Sequence, residues 1–166
     1  MNEKAIEKYK KIWIIGSVAS GKTTLAIQCA KKMNSKQFEL DNLEHIRRRS
    51  GDVRRTQSEI NHLLERVFKL ETWIVEGVYR ESYKAILDEV DCIVIMDTPR
   101  LVRSYRIIIR WMKQKFGYEN SNYDPSFKML KSMFRWSLGF EKNYSEFEQI
   151  IAPYSDKVIK YSQMKS

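Results

Sequence analysis

Residues Gly16 to Thr23 read G-S-V-A-S-G-K-T and match the phosphate-binding pattern G-x-x-x-x-G-K-[ST]. Two glycines at this spacing let a loop turn tightly, through backbone angles that other residues avoid, so that its N–H groups converge on phosphate oxygens. Lys22 adds a full positive charge near the outer phosphates, and the Thr23 hydroxyl can ligate Mg²⁺. The pattern therefore predicts a site for nucleotide phosphates, with contacts from Gly16, Ser17, Val18, Ala19, Ser20, Gly21, Lys22, Thr23 and Thr24.

The segments on either side of this loop have the character that the pattern requires. A short apolar, β-branched run at 11–15 precedes it and predicts a strand. The stretch 21–34 places apolar side chains from Leu25 to Met33 on one helical face, and the positive end of that helix would point at bound phosphates. A chance match is the alternative, and the strand–loop–helix context argues against it.

Arginines in a later helix could supply further positive charge. Arg103, Arg106 and Arg110 are spaced i, i+3, i+7 and share one helical face. Phosphoryl transfer needs positive charge around the transferring group, but a solvated basic face explains the spacing equally well. On spacing alone, both interpretations stay open for all three residues.

Acidic residues at strand ends could bind a metal or orient a hydroxyl. Glu76 and Asp97 end two predicted strands, where a carboxylate can hold a Mg²⁺-bound water or orient an attacking hydroxyl. Glu76 is the preferred site, with Thr23 as the second metal residue, whereas Asp97 precedes Pro99 as a capping or turn acid would. Asp41 could accept a hydrogen bond from a substrate hydroxyl or act as a base, and a turn-forming Asp–Asn pair is the alternative.

Arginines are also frequent after the predicted second strand. They are Arg47, Arg48, Arg49, Arg54 and Arg55, with Arg80 further along. These would suit an anionic acceptor, although charge runs are usually solvated. The net charge of +9 fits nucleic acid as well as a phosphate-bearing substrate, and no helix-turn-helix, zinc-finger or RNP signature supports nucleic acid.

The elements that must position these residues alternate between strand and helix, which predicts an α/β fold with a mostly parallel five-stranded sheet covered on both faces. Strands are predicted at 11–15, 37–40, 72–76, 91–97 and 157–161. Helices are predicted at 21–34, 57–69 and 81–89, from Pro99 onward, and from an Asp124 cap and Pro125 onward with an interruption at Gly139. The apolar and aromatic stripes of these helices are predicted to face the core.

The 166 residues are expected to form a single domain, 1–166. Cys29 and Cys92 are predicted to be small buried side chains rather than a disulfide. The N-terminus has no apolar signal-peptide region, and no apolar run approaches the length that spans a bilayer. We therefore expect a cytoplasmic protein without a membrane partner, and the sequence predicts no oligomeric state.

The chain resembles the small nucleoside- and nucleotide-kinase branch of P-loop proteins, of which adenylate kinase is the best known. The resemblance rests on the early P-loop, on Glu76-Gly77 after a strand, on the turn D-T-P-R at 97–100, and on Arg106 and Arg110. A closer resemblance is to bacterial "topology modulation" or adenylate-kinase-related proteins, which share Leu40-Asp41, acid-Gly-x-Tyr at Glu76 to Tyr79, the D-x-P-R turn and Phe134-Arg135-Trp136. The chain departs from these proteins at Glu76, where Asp is usual, and at Val78, where Asn is common; it also lacks the four-cysteine lid of some adenylate kinases.

The resemblance implies a three-layer P-loop NTPase fold of strand order 2-3-1-4-5, with sites at the carboxyl ends of the strands and a lid at about 111–125. It also implies an ATP- and Mg²⁺-dependent phosphotransferase whose acceptor is a nucleotide or another phosphate-bearing metabolite. Catalytic roles then fall to Lys22, Arg106, Arg110, Glu76 and Asp41. The alternatives are a nucleotide-binding regulator linked to DNA topology, with weak or no kinase activity, and a weak ATPase or GTPase switch, although the guanine-binding run N-K-x-D is absent.

Overall fold

The structure is a computed structural model that describes residues 5–46, 51–119 and 125–162. Its strands are β1 Lys11–Ile15, β2 Lys36–Glu39, β3 His45–Ile46, β4 Val53–Arg54, β5 Trp73–Glu76, β6 Cys92–Met96 and β7 Val158–Tyr161. β3 and β4 form a separate antiparallel hairpin, whereas the other five strands make one sheet in which every pairing is parallel. The predicted parallel five-stranded sheet is confirmed.

The strands of the large sheet lie in the order β2-β5-β1-β6-β7. Counted within this sheet alone, the order is 2-3-1-4-5, as predicted; the β3–β4 hairpin between its second and third strands was not predicted. β1 is central, with Ile14 opposite Glu76 on β5 and Ile15 opposite Ile95 on β6. The loop that follows β1 therefore begins between the carboxyl ends of two neighbouring strands.

Helices cover both faces of this sheet. In the described part of the chain they are α1 Lys22–Met33, α2 Leu40–Glu44, α3 Gln57–Phe68, α4 Ile86–Glu89, α5 Arg100–Lys115, α6 Phe127–Lys142 and α7 Tyr144–Ile151, with 3₁₀ segments at Glu81–Tyr83 and Ala152–Lys157. Because successive side chains of a strand point to opposite faces, Ile12 and Ile14 pack on α1, while Trp13 and Ile15 belong to the core that includes α3 and α7. None of the described helices is long and apolar enough to cross a bilayer.

Two predictions about α6 are wrong. The Ser126 side chain accepts a hydrogen bond from the Met129 N–H and caps the helix, so Pro125 precedes α6 instead of starting it, and Asp124 lies outside the described residues. The helix also continues through Gly139 to Lys142, because one glycine weakens a helix by only about 1 kcal/mol without breaking it. The predicted helix at 81–89 is likewise two elements, a 3₁₀ turn and the short α4.

α3 and α5 place their apolar stripes differently. α3 buries Ile60, Leu64 and Val67 in the core, as predicted. α5 instead buries Arg103, Ile107 and Gln114, whereas Leu101, Tyr105, Ile108 and Met112 are exposed. We call these four exposed residues the outer stripe of α5. The prediction that this stripe faces the core is wrong. The buried Arg103 binds α6, so the side of α5 that carries Arg103 faces inward and the stripe faces outward.

Candidate functional site

The loop between β1 and α1 has a conformation suited to binding an anion. Ala19 and Gly21 both adopt left-handed backbone conformations, with φ of 59° and 90°. Such residues turn successive N–H groups toward one point, and the first N–H groups of a helix have no partner within it. The expected unusual φ is found at Gly21, whereas Gly16 is required for packing, because a Cβ there would lie 2.8 Å from the Met96 Cβ.

An ammonium, a hydroxyl and a carboxylate meet at the base of this loop. The Lys22 Nζ lies 3.5 Å from the Ser17 carbonyl oxygen and 3.9 Å from Glu76 Oε2. The Thr23 hydroxyl donates to Glu76 Oε1 at 2.5 Å. The structure thus brings Glu76, from the end of β5, together with Lys22 and Thr23 of the loop motif.

Glu76 is poorly solvated at the end of β5. The residue is only 4% exposed, and burial raises the pKa of its carboxyl above the ordinary value of 4.5. The Lys22 charge and the Thr23 hydrogen bond act in the opposite direction, and more weakly. A positive partner at this position would therefore favour the charged form of the Glu76 carboxyl.

The residues present fit a Mg²⁺–nucleotide. Ser20 Oγ is buried, and among the described residues it has no hydrogen-bond partner, so a phosphate oxygen could satisfy it. Thr23 and Glu76 offer oxygen ligands, which Mg²⁺ prefers, and this ion usually takes its other ligands from water and phosphates. In the described ranges no group of three or more His, Cys, Asp or Glu forms an all-protein metal site.

The three arginines of α5 lie in different surroundings. The Arg106 guanidinium is beside the loop, with its Nη1 at 3.5 and 3.4 Å from the carbonyl oxygens of Ala19 and Ser20. Arg110 is exposed one turn later, where its Nε lies 3.3 Å from Glu119. Its position is at the start of the predicted lid, 111–125, of which residues 120–124 fall outside the described ranges.

Arg103 fastens α5 and α6 together. It is 5% exposed, donates to Ser137 Oγ at 3.0 Å and forms a short ion pair with Glu141. The Ser17 hydroxyl in turn donates to Ser137 Oγ at 3.3 Å. These contacts give Arg103 a structural role and attach α6 to the loop.

On the β6 side, a neutral residue contacts the loop. The Thr98 hydroxyl donates to the Ser20 carbonyl oxygen at 2.9 Å, and Thr98 is buried. Asp97 is exposed, and its N–H donates to the Tyr161 carbonyl oxygen. The sequence predicts a capping or turn role for Asp97 and gives no role to the neighbouring Thr98.

A cavity of about 980 Å³ opens beside the loop at Ser17 and Val18. Its opposite walls come from two parts of the chain. One wall contains Asp41, His45, Asp52, Val78, Tyr79, Arg80 and Glu81, and the other contains Arg135, Trp136, Gly139, Phe140, Asn143, Tyr144, Glu146, Phe147 and Ile150. The structure therefore brings Asp41 and Arg80 into one cavity with the aromatic segment of α6 and α7.

A buried carboxylate organises the first of these walls. Glu44 is 2% exposed and pairs with Arg80 and, at 2.8 Å, with Arg54. The Tyr83 hydroxyl also donates to it at 3.1 Å. Arg80 reaches from Glu44 to Asp41, whose Oδ1 is 3.2 Å from the second guanidinium nitrogen. The Arg80 guanidinium is thus held at the cavity by two acids.

Other residues of the arginine-rich stretch have structural contacts or lie outside the structure. Arg55 donates to the carbonyl oxygens of Asn42, Leu43 and His45, which ties the hairpin to α2. Arg47, Arg48 and Arg49 lie outside the described residues. The sequence analysis missed Glu44; its signal was the three-residue spacing from Asp41, which puts both acids on one helical turn.

The sequence analysis also missed the residues of the second wall. The rings of Tyr79 and Phe147 lie 5.7 Å apart, and those of Tyr144 and Phe147 lie 6.3 Å apart. These aromatics line the cavity and join the core behind it. Arg135, exposed on α6, faces the same cavity. Their helical spacing indicated only a core stripe, because the cavity exists only once α6 and α7 pack beside the loop.

No protein-family model and no curated protein matches the chain in sequence. Solved structures do resemble it. A shikimate kinase from Bacteroides thetaiotaomicron is 15% identical over 92% of this chain and 85% of that chain, with a TM-score of 0.50. A gluconokinase from Sinorhizobium meliloti is 14% identical over 95% and 84%, and an unliganded sugar kinase from a Janibacter species is 15% identical over 95% and 87%, each with a TM-score of 0.50. The chain therefore has the α/β P-loop fold that these small-molecule kinases share.

Proposed function

We propose that the chain is an ATP- and Mg²⁺-dependent phosphotransferase that acts on a small anionic acceptor, a nucleotide or another phosphate-bearing metabolite. The observation that carries this proposal is the junction of the loop with the cavity at Ser17 and Val18. Lys22 and Thr23 lie on one side of that junction, and Asp41 and Arg80 line the other. A protein that only binds a nucleotide does not need a second large cavity that opens onto its phosphate loop.

On the donor side, the loop amides and Lys22 would hold the outer phosphates, and Arg106 would add charge beside Ala19 and Ser20. Thr23 and Glu76 would hold Mg²⁺ directly or through water. When bound, the ion would neutralise charge on the phosphates. The protein's contribution is positioning and positive charge, which is what phosphoryl transfer requires.

On the acceptor side, Asp41 would orient the attacking oxygen of the acceptor. That oxygen bonds to the γ-phosphorus, the bond to the β-phosphate oxygen breaks, and any hydroxyl proton passes to the Asp41 carboxylate. Arg135, which lines the cavity from α6, and Arg80, whose guanidinium also pairs with Glu44 and Asp41, would bind the negative groups of the acceptor.

The first test is a thermal-shift screen of nucleosides, nucleotides and sugars in the presence of an ATP analogue and Mg²⁺. Compounds that raise the thermal midpoint of the protein are then incubated with ATP, and phosphate transfer to them is detected by ³¹P NMR. The wild type should bind ATP–Mg²⁺ and transfer phosphate to at least one anionic compound. Lys22→Ala should not, whereas Lys31→Ala, on the exposed side of α1, should behave like the wild type. ATP binding without transfer to any compound of the panel would contradict the proposal.

The alternative, a nucleotide-binding regulator that touches DNA, is favoured by one observation. The net charge is +9, and α5 contains four arginines and two lysines without an acid. A salt titration of duplex DNA binding separates the two functions. A steep salt dependence with a sequence preference, in a protein that transfers no phosphate, would assign the regulator.

A further inference from the structure

α5 directs an apolar stripe away from the protein. The outer stripe, Leu101, Tyr105, Ile108 and Met112, is spaced 4, 3 and 4 residues apart, so it forms one line along the helix. These side chains are 84%, 66%, 43% and 41% exposed. An amphipathic helix of a globular protein normally buries such a line, so the stripe marks a surface with a partner.

The stripe is not the result of a helix that lacks packing. The buried residues of α5, Arg103, Ile107 and Gln114, project from the opposite side at 3.6 residues per turn. Arg103 is fixed there by Ser137 and Glu141 of α6. Turning the stripe inward would expose this buried ion pair, so the outward orientation belongs to the folded state.

More exposed apolar side chains lie in the same part of the chain. Phe116, Tyr118 and Phe127 are exposed, and the Phe127 ring lies 5.0 Å from Trp111 near the end of α5. Nine of the eleven large exposed apolar side chains in the described residues lie between 101 and 138, although one of them, Trp136, lines the cavity. Single exposed apolar residues are normal, whereas a line of four on one helix face marks an interaction surface.

The charges of the two helices α5 and α6 are almost all positive. α5 carries six basic residues and no acid, and α6 carries four basic residues and only Glu141. Arg100, Lys113 and Lys115 are exposed along α5, and Arg110 is exposed but paired with Glu119. A second copy of the chain would bring like charges together. Nucleic acid would use the charges but leave the apolar stripe in water.

We propose that the outer stripe of α5 binds the surface of an anionic phospholipid bilayer. α5 would lie in the membrane interface with the outer stripe among the acyl chains, its exposed basic residues at the flanks of the stripe, and its buried side packed on the protein. The aliphatic parts of lysine and arginine side chains can lie along the boundary between acyl chains and headgroups while their charges reach lipid phosphates. Interfacial binding needs no spanning segment, so this proposal replaces the expectation of no membrane partner. It is independent of the proposed phosphotransferase activity.

The test is co-sedimentation of the full chain with phosphatidylcholine vesicles that contain or lack phosphatidylserine. We expect binding to the anionic vesicles alone, weakened by salt. The double variant Leu101→Ser with Tyr105→Ser should lower the partition coefficient at least tenfold, and Lys113→Gln should lower it by about fivefold for the lost charge. Ile27→Ser, an exposed apolar residue on α1, is the matched control and should bind as the wild type does.

Three results would overturn the proposal. These are no binding by the wild type, equal binding to neutral vesicles, and binding that the double variant leaves unchanged. If the wild type is a dimer and the double variant is a monomer, the stripe binds a second copy of the chain instead. Because both substituted side chains are exposed, the thermal midpoint and the ATP–Mg²⁺ affinity should not change, which separates a loss of membrane binding from misfolding.

Discussion

The proposed donor and acceptor sides of the cavity are built in different ways. The donor side is one continuous loop, in which backbone conformation at Ala19 and Gly21 and the side chains of Lys22 and Thr23 come from neighbouring positions. The acceptor side joins α2, the β3–β4 hairpin and the segment after β5 through one carboxylate, Glu44. A local sequence motif determines the geometry of the donor side, whereas ion pairs between distant segments hold the acceptor side together. The two sides should therefore respond differently to substitution.

The largest effect is expected at Lys22. Lys22→Ala should remove detectable phosphoryl transfer while the fold stays intact, because the ammonium acts on phosphates and contributes little to the core. Removing one positioned charge donor alone costs about 100- to 1,000-fold in rate, and this one also neutralises Glu76. Calorimetry and a transfer assay measure the result. Unchanged ATP affinity and activity would show that the loop is not the donor site.

On the acceptor side, Glu44→Ala should act on stability. It removes the buried acceptor of Arg80, Arg54 and the Tyr83 hydroxyl, and because both guanidinium groups reach solvent the loss of stability should be about 1–3 kcal/mol, the cost of lost hydrogen bonds to a charged group. Urea unfolding measures this, with Glu65→Ala, an exposed acid on α3, as the control. If Glu44→Ala and Glu65→Ala unfold at the same urea concentration, the acceptor side does not depend on this carboxylate.

Arg106→Ala should lower kcat by at least ~100-fold, as is typical for a single preorganised charge donor. Arg110→Ala should lower kcat less, because Arg110 pairs with Glu119 away from the loop. Steady-state kinetics and calorimetry on both variants test this order, with Arg66→Ala on α3 as the control. A wild-type rate for Arg106→Ala would show that this helical face is only a solvated basic face and does not act on the phosphates.

The smallest effect concerns the pH dependence of stability without ligand. Because burial raises the pKa of Glu76, the folded state holds its proton more tightly than the unfolded state. The free energy of unfolding should therefore decrease as pH rises from about 4.5 through the raised folded value, and level off above it. Glu76→Gln should remove this decrease in urea titrations at several pH values. An identical pH dependence in both proteins would show that Glu76 is not desolvated.

The same contrast explains what the sequence could predict. The loop, its flanking strand and helix, and the position of Glu76 follow from local patterns together with parallel strand order. Glu44 could not be found this way, because its burial depends on Arg54 and Arg80 from distant segments. The interior face of α5 could not be found either, since its apolar spacing identifies a helix but Arg103 determines which side is buried.

Packing also decides which residue of the turn after β6 contacts the phosphate-binding loop. At the end of β6 the acid Asp97 was the more conspicuous residue, but the Thr98 hydroxyl contacts the loop. The aromatics of α6 and α7 have the spacing of a core stripe and belong partly to the core, so nothing in their periodicity distinguishes cavity-lining rings from buried ones.

The contacts of Trp111 with the start of α6 have a consequence for how the molecule can vary. The Trp111 Nε1–H donates to the carbonyl oxygens of Pro125 and Ser126 at 3.0 and 3.2 Å, and the Trp111 ring lies 5.0 Å from the Phe127 ring. These contacts hold the end of α5 against the start of α6. Lengthening a connection whose ends are already held costs only about 0.6 kcal/mol for each doubling, so insertions between Phe116 and Pro125 should leave the thermal midpoint nearly unchanged. The length of this connection can then vary while the phosphate-binding loop stays the same.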